Sequence, residues 1–132
     1  MFQIDLTINN SDLEPGYNHV NHALSLTFME KGRLKFLESI GFPNEGFYSN
    51  GIFLVVTNIQ VRYLREVFAE TVNVTVDSAE IDGKDLILTQ RILNKKNKEC
   101  VTAVITFRFV DGARKRSIPV PNDFFNAAIK AL

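Results

Sequence analysis

Two histidines and two carboxylates crowd one short polar stretch. His19 and His22 are the only histidines of the 132-residue chain and lie within Gly16-Tyr17-Asn18-His19-Val20-Asn21-His22, with Asp12 and Glu14 just upstream. A carboxylate so placed can take a proton from water or attack a carbonyl carbon directly. The stretch runs into a segment with helical periodicity, whose first turn offers unpaired N–H groups and the positive end of the helix dipole. Such a terminus can receive a carbonyl oxygen as it gains negative charge during acyl transfer. A purely structural reading is equally economical: Asn18 caps the helix, and Asp12 and Glu14 are ordinary loop carboxylates.

Other chemistries fit the sequence less well. His19 and His22 are three apart, and Asp12 or Glu14 could complete a metal shell, but no further histidine and no nearby cysteine supports one. We therefore expect no metal. Cys100, the single cysteine, has no basic partner in sequence and begins a strand, so an inert thiol is expected. The chain carries no Gly-x-Ser-x-Gly elbow, no phosphate-binding Walker loop and no dinucleotide fingerprint. Two basic clusters, Lys95-Lys96-x-Lys98 and Arg114-Lys115-Arg116, could meet substrate phosphates or simply be solvated turn charges that keep strand edges from pairing. Arg33 interrupts an apolar helix face three residues after Glu30, which predicts an internal Glu30–Arg33 pair.

The elements that must position these residues follow from hydrophobic periodicity. Phe2, Ile4, Leu6 and Ile8 alternate with polar residues as a strand, and Asn9 to Asn18 has a loop composition. Helical spacing runs from about His19 to Ile40, with Leu26, Met29, Phe36, Leu37 and Ile40 on one arc around Arg33. Leu24 and Phe28 add a second apolar face, so the helix should be wrapped, and Gly41 and Pro43 should stop it. A loop over Gly46–Gly51 leads to strands carrying Ile59, Val61 and Tyr63, then Val72, Val74 and Val76. Asp82-Gly83 marks a hairpin before Leu86–Leu93. A polar turn over 94–98 precedes a strand with Val101, Ala103, Ile105, Phe107 and Phe109 on one face. Pro119 and Pro121 lead into a short helix carrying Phe125, Ala128, Ile129 and Leu132. This order predicts one α+β domain over 1–132, an antiparallel sheet around one long central helix with a short C-terminal helix, and an uncovered face or edge suited to a second copy.

Composition narrows the function. Fifteen basic residues balance fifteen acidic ones, which argues against a nucleic-acid binder. No run approaches the ~20 apolar residues of a membrane span, and the N-terminus lacks the basic and apolar regions of a signal peptide. A cytoplasmic protein is expected. Eleven phenylalanines and no tryptophan suggest greasy interior surface.

The stretch His19 to Arg33, His-Val-Asn-His-Ala-Leu-Ser-Leu-Thr-Phe-Met-Glu-Lys-Gly-Arg, resembles the signature of hotdog-fold acyl-CoA thioesterases, in the 4-hydroxybenzoyl-CoA thioesterase-like branch. Leu88-Thr89-Gln90-Arg91-Ile92-Leu93-Asn94 is similar to a strand phrase of that branch. The resemblance implies a hotdog fold and hydrolysis of an acyl-CoA or acyl-carrier-protein thioester. It also implies an acyl tunnel along the helix, a homodimer or homotetramer, and no cofactor beyond the coenzyme A thioester that serves as substrate. It places Val20 and Asn21 at the oxyanion site, Tyr17 and Asn18 beside the substrate, and His19 and His22 at the pocket mouth. The family carboxylate stands four residues before the motif histidine, where this chain has Pro15. Asp12, seven residues before His19, fits with a three-residue insertion and is preferred because Ser11-Asp12 is similar to the family's Thr-Asp; Glu14 is the alternative. The family glycine is Asn18 here and the helix tyrosine is Ser25. Two other activities fit the same fold: a binding module that holds an acyl thioester without hydrolysing it, and, on weaker cues, a dehydratase.

Overall fold

The computed structural model describes residues Met1–Leu132. Strand β1 (Phe2–Thr7) leads through a 3₁₀ turn at Asn10–Asp12 into helix α1 (His22–Ser39) and a short helix α2 (Asn44–Tyr48). Then come β2 (Ile52–Tyr63), β3 (Thr71–Val76), β4 (Ser78–Asp82), β5 (Asp85–Leu93), β6 (Glu99–Asp111), β7 (Arg116–Ile118) and helix α3 (Asn122–Ala131). All pairings are antiparallel, in the order β1-β3-β5-β6-β2; β4 continues beside β5, and β7 adds to the far end of β6.

Alternation sets the inner face of this sheet. Val72, Val74 and Val76 of β3, Leu86, Leu88, Gln90 and Ile92 of β5, and Val101, Ala103, Ile105, Phe107 and Phe109 of β6 are all buried. The β3 and β6 sets are those expected from the sequence. Asp82-Gly83 forms the expected hairpin, with Asp82 opposite Asp85 and Gly83 at φ 61°.

Helix α1 lies across this face, and one buried polar cluster fixes its depth. Gln90 donates from Nε2 to the carbonyls of Met29, at 3.0 Å, and Thr75, at 3.2 Å, so it ties helix to sheet. Its Oε1 accepts from Arg33 Nη1 at 3.0 Å. The expected Glu30–Arg33 ion pair does not form: Arg33 bonds to Gln90 and lies 5.3 Å from the ring centre of Phe107. Burial holds the Arg33 guanidinium below its usual pKa, with Glu30 acting weakly in the opposite direction. Gly32 lets the helix come this close, because a Cβ there would stand 2.7 Å from Val74 Cγ1.

Several details differ from the sequence expectation. The helix starts at His22 and not at His19, because Asn21 caps it by accepting the Ala23 N–H at 2.8 Å; Asn18 is not the cap. The supposed loop over Gly46–Gly51 contains part of α2, which is too short for its apolar period to be read. Its Phe47 packs with Phe42, Phe109 and Phe124 at ring separations of 5.4 to 6.2 Å. The three-residue strand β7 is likewise too short to read. Leu34 is half-exposed in the groove between the helix and β2, beside Leu37, Leu54 and Val56. At its end, Phe42 N–H donates to Leu37 O at 2.9 Å across Gly41 (φ 83°), a glycine stop followed by Pro43. Much of the phenylalanine excess is core, because Phe28, Phe36, Phe107, Phe109 and Phe124 are all buried.

The close approach at Gly32 gives a test. Gly32→Ala should lower stability by about 1–3 kcal/mol through overpacking, despite alanine's better helix propensity. In a Val74→Ala background the same change should become neutral or stabilising, as read by urea unfolding of the four proteins.

Candidate active site

The sequence before α1 folds back on itself, and this brings the candidate residues together. Leu13 and Val20 form an isolated bridge, and Glu14 N–H donates to His19 O at 2.9 Å. Between them Pro15 and Gly16 take the central positions of a tight turn: Gly16 has φ 82°, and Tyr17 N–H donates to Glu14 O at 2.9 Å. Proline followed by a left-handed glycine is what a type II turn requires. The extra residues thus form a closed loop and not a slack insertion.

The loop delivers Glu14 to the helix start, where its Oε2 accepts a hydrogen bond from Asn21 Nδ2. Asn21 therefore has two tasks, since its Oδ1 caps the helix while its amide nitrogen holds the carboxylate. Both border a cleft of about 530 Å³, together with Tyr17, His19, His22 and Tyr63. Val20 is buried at its edge, and its N–H donates to Val67 O at 2.8 Å. That amide is committed to the fold. The Asn21 and His22 N–H groups have no partner in the chain and stand at the first turn of a helix 18 residues long.

The remaining candidates separate clearly. Asp12 lies outside the cleft, where its Oδ2 accepts the Asn9 N–H at 2.9 Å and caps the 3₁₀ turn. Asn18 is exposed and does not line the cleft. Tyr17 is exposed and its ring lies 5.2 Å from that of His19. His19 Nδ1 is 3.9 Å from Glu66 Oε1 at the opposite wall. His22 meets Tyr63 edge-on at 6.0 Å, and Tyr63 donates its hydroxyl to His22 O at 2.9 Å. Partial burial raises the Tyr63 phenol pKa, keeping that donor protonated. Tyr63, Glu66 and Val67, at the end of β2 and in the segment after it, carry no signal in the sequence that marks them for the site. They lie more than 40 residues from the histidines, and the Val20–Val67 bond brings them here.

No three histidine, cysteine or acidic side chains converge as metal ligands. Cys100 is fully buried on β6 and does not line the cleft, and burial raises its thiol pKa above the usual value. It should resist iodoacetamide in the folded protein and react once urea unfolds the chain, and Cys100→Ala should not lower turnover. Fast labelling of the native thiol would contradict that placement.

A curled antiparallel sheet around one long helix, with a polar cleft at the helix start, defines the hotdog class of acyl-thioester proteins. The chain belongs to the thioesterase-like superfamily, whose model matches residues 8–128. It is 30% identical over 109 residues to the long-chain acyl-CoA thioesterase FadM of Escherichia coli strain K12, covering 81% of this chain and 82% of that protein. Among solved structures, the YbaW probable thioesterase from Escherichia coli superposes with a TM-score of 0.82 at 25% identity, covering 96% of each chain. SAV2348 from Staphylococcus aureus, solved in complex with CoA, superposes with a TM-score of 0.85 at 18% identity, covering 96% of this chain and 80% of that one.

Proposed function

We propose that the protein hydrolyses acyl-CoA thioesters, with Glu14 as the reacting carboxylate. The observation that carries this is the position of Glu14 at the helix start, held by Asn21 beside two unpartnered N–H groups. The substrate carbonyl oxygen would sit against the Asn21 and His22 amides. Glu14 takes a proton from water as the water oxygen bonds to the carbonyl carbon. The negative charge that develops on the carbonyl oxygen is met by the amides and the helix dipole. Collapse of this intermediate breaks the carbon–sulfur bond; the thiolate leaves and takes the proton held by Glu14, giving a free acid and coenzyme A and restoring the carboxylate. Direct attack by Glu14 through an anhydride would use the same geometry. Val20 shapes the site through its side chain, while His19, His22 and Tyr17 border the mouth. No resident cofactor or metal is needed for these steps.

The acyl chain would leave the cleft along the inner face of β2. Tyr63, Ile59 and Val56 expose apolar surface there between α1 and the sheet edge. The 12-residue β2 pairs only with β6, so its outer edge carries unmatched backbone groups as well as exposed side chains. A second copy pairing along this edge would satisfy both and roof the acyl channel, which makes a homodimer the working form. A cytoplasmic substrate pool fits this reading, and no helix is long and apolar enough to cross a membrane.

Steady-state hydrolysis of acyl-CoAs of graded length tests the assignment. Glu14→Gln should lower kcat by about 10²–10⁴-fold, while Asp12→Asn should leave it within a few-fold and act mainly on stability. The reverse pattern would reassign the base to Asp12. Tight binding of an acyl-CoA without turnover would indicate a binding module.

A further inference from the structure

Among the buried side chains, one hydroxyl has nothing to bond. Four polar or charged residues are buried: Ser25, Arg33, Thr75 and Gln90. Arg33 and Gln90 bond to each other, and Gln90 also donates to the carbonyls of Met29 and Thr75. Thr75 Oγ1 donates to Asp77 Oδ2 at 3.0 Å and accepts the Arg91 N–H at 2.9 Å. Ser25 is 2% exposed, yet its Oγ makes no hydrogen bond within the chain. Helical serines commonly satisfy themselves on a carbonyl three or four residues back. Ser39, at the other end of α1, does so, donating to Phe36 O at 2.7 Å. Ser25 does not, and its oxygen is not sealed in the core either. Asn73 Oδ1 is the one sealed side-chain polar atom without a partner, so the small accessible area of Ser25 includes its oxygen. Ser25 lines the cleft that holds Glu14 and Asn21, and the oxygen opens there.

Helix geometry puts this oxygen beside the reacting groups. Ser25 follows Asn21 by four residues and His22 by three, so the three share one face. Side chains of a helix lean toward its N-terminus, over the preceding turn. Ser25 Oγ therefore looks toward the free Asn21 and His22 amides and toward Glu14. Glu14 commits Oε2 to Asn21 Nδ2, while its Oε1 has no partner in the chain. Two unengaged oxygens thus border one cleft. One water can bond to both, at about 2.8 Å each, across a gap of about 4–5 Å. The substrate carbonyl oxygen already has its donors in the two amides. What the site still needs is a second acceptor for the attacking water, and a serine oxygen accepts.

We propose that Ser25 holds and aims the water that attacks the thioester. This rests on the hydrolase reading and deepens it, by adding the group that orients the nucleophile. The water donates one O–H to Glu14 Oε1 and the other to Ser25 Oγ, which leaves a lone pair directed at the carbonyl carbon. As the new carbon–oxygen bond forms, Glu14 takes the first proton; the second stays on the oxygen and ends in the acid product. Ser25 gives up no proton and forms no covalent bond. The fold carries an unbonded hydroxyl at some cost in stability, and the reaction is what uses it.

Ser25→Ala removes only the oxygen. For an acyl-CoA, kcat should fall about 10–100-fold with KM within about twofold, while the urea midpoint stays at or above that of the unmodified protein. Hydroxylamine, added as a second nucleophile, separates loss of aim from general damage. It needs no water held at Ser25, so the ratio of hydroxamate to acid should rise about tenfold in Ser25→Ala. Ser25→Cys nearly restores the volume with a weak acceptor, so it should turn over like Ser25→Ala. Four results would each overturn the proposal: unchanged kcat in Ser25→Ala, full recovery in Ser25→Cys, equal loss of hydrolysis and hydroxamate formation, or an acyl group found on Ser25 by mass spectrometry after rapid quenching. In all four the unmodified protein still hydrolyses acyl-CoA, so the hydrolase reading stands. Absence of turnover by the unmodified protein removes that reading, and the role of Ser25 with it.

Discussion

The position of α1 depends on one buried amide. Gln90 reaches from the middle of β5 to bond the carbonyls of Met29 and Thr75, and it receives the Arg33 guanidinium on its other side. A buried polar group is costly unless its donors and acceptors are used, and here both ends of the amide are bonded. These bonds have direction, which the surrounding valines, leucines and phenylalanines cannot supply. They fix the depth and rotation of the helix on the sheet, and Gly32 permits the contact by leaving room for Val74. With the helix held at its middle, its first turn has one place to be.

That first turn becomes a site because the chain before it is equally constrained. The Pro15-Gly16 turn and the Leu13–Val20 bridge bring Glu14 back to Asn21, and the Val20–Val67 bond sets the opposite wall. One asparagine side chain links these requirements, since it caps the helix and orients the carboxylate. Capping leaves the neighbouring amides of Asn21 and His22 free at the cleft. Folding and the proposed chemistry thus use the same residue.

Most of the elements are legible in the sequence because alternation and helical spacing report burial directly. The inner faces of β3 and β6 and the Asp82-Gly83 hairpin follow from that rule. It fails for α2 and β7, which are shorter than a readable period, and it overruns the start of α1 by three residues because periodicity does not show that Asn21 is the cap. Long-range partners are invisible for the same reason: periodicity says that Arg33 lies on the helix face but not that Gln90, 57 residues later, replaces Glu30 as its partner. Residue types point to the segment that borders the cleft, and likeness to a motif favours Asp12 within it. In the fold Asp12 spends its carboxylate on the Asn9 amide, while the turn carries Glu14 to the cleft. Spacing alone could not show a turn closing over three extra residues.

If Glu14 is the reacting carboxylate, the thioester carbonyl must be received beside it, at the start of α1. A crystal structure of the Glu14→Gln protein soaked with an acyl-CoA tests this most directly, because slowed turnover should leave the thioester intact. The carbonyl oxygen should then lie within about 3 Å of the Asn21 and His22 amide nitrogens, with the substituted side chain at position 14 on the side from which water attacks. A thioester bound with its carbonyl away from this turn, or against Asp12, would contradict it.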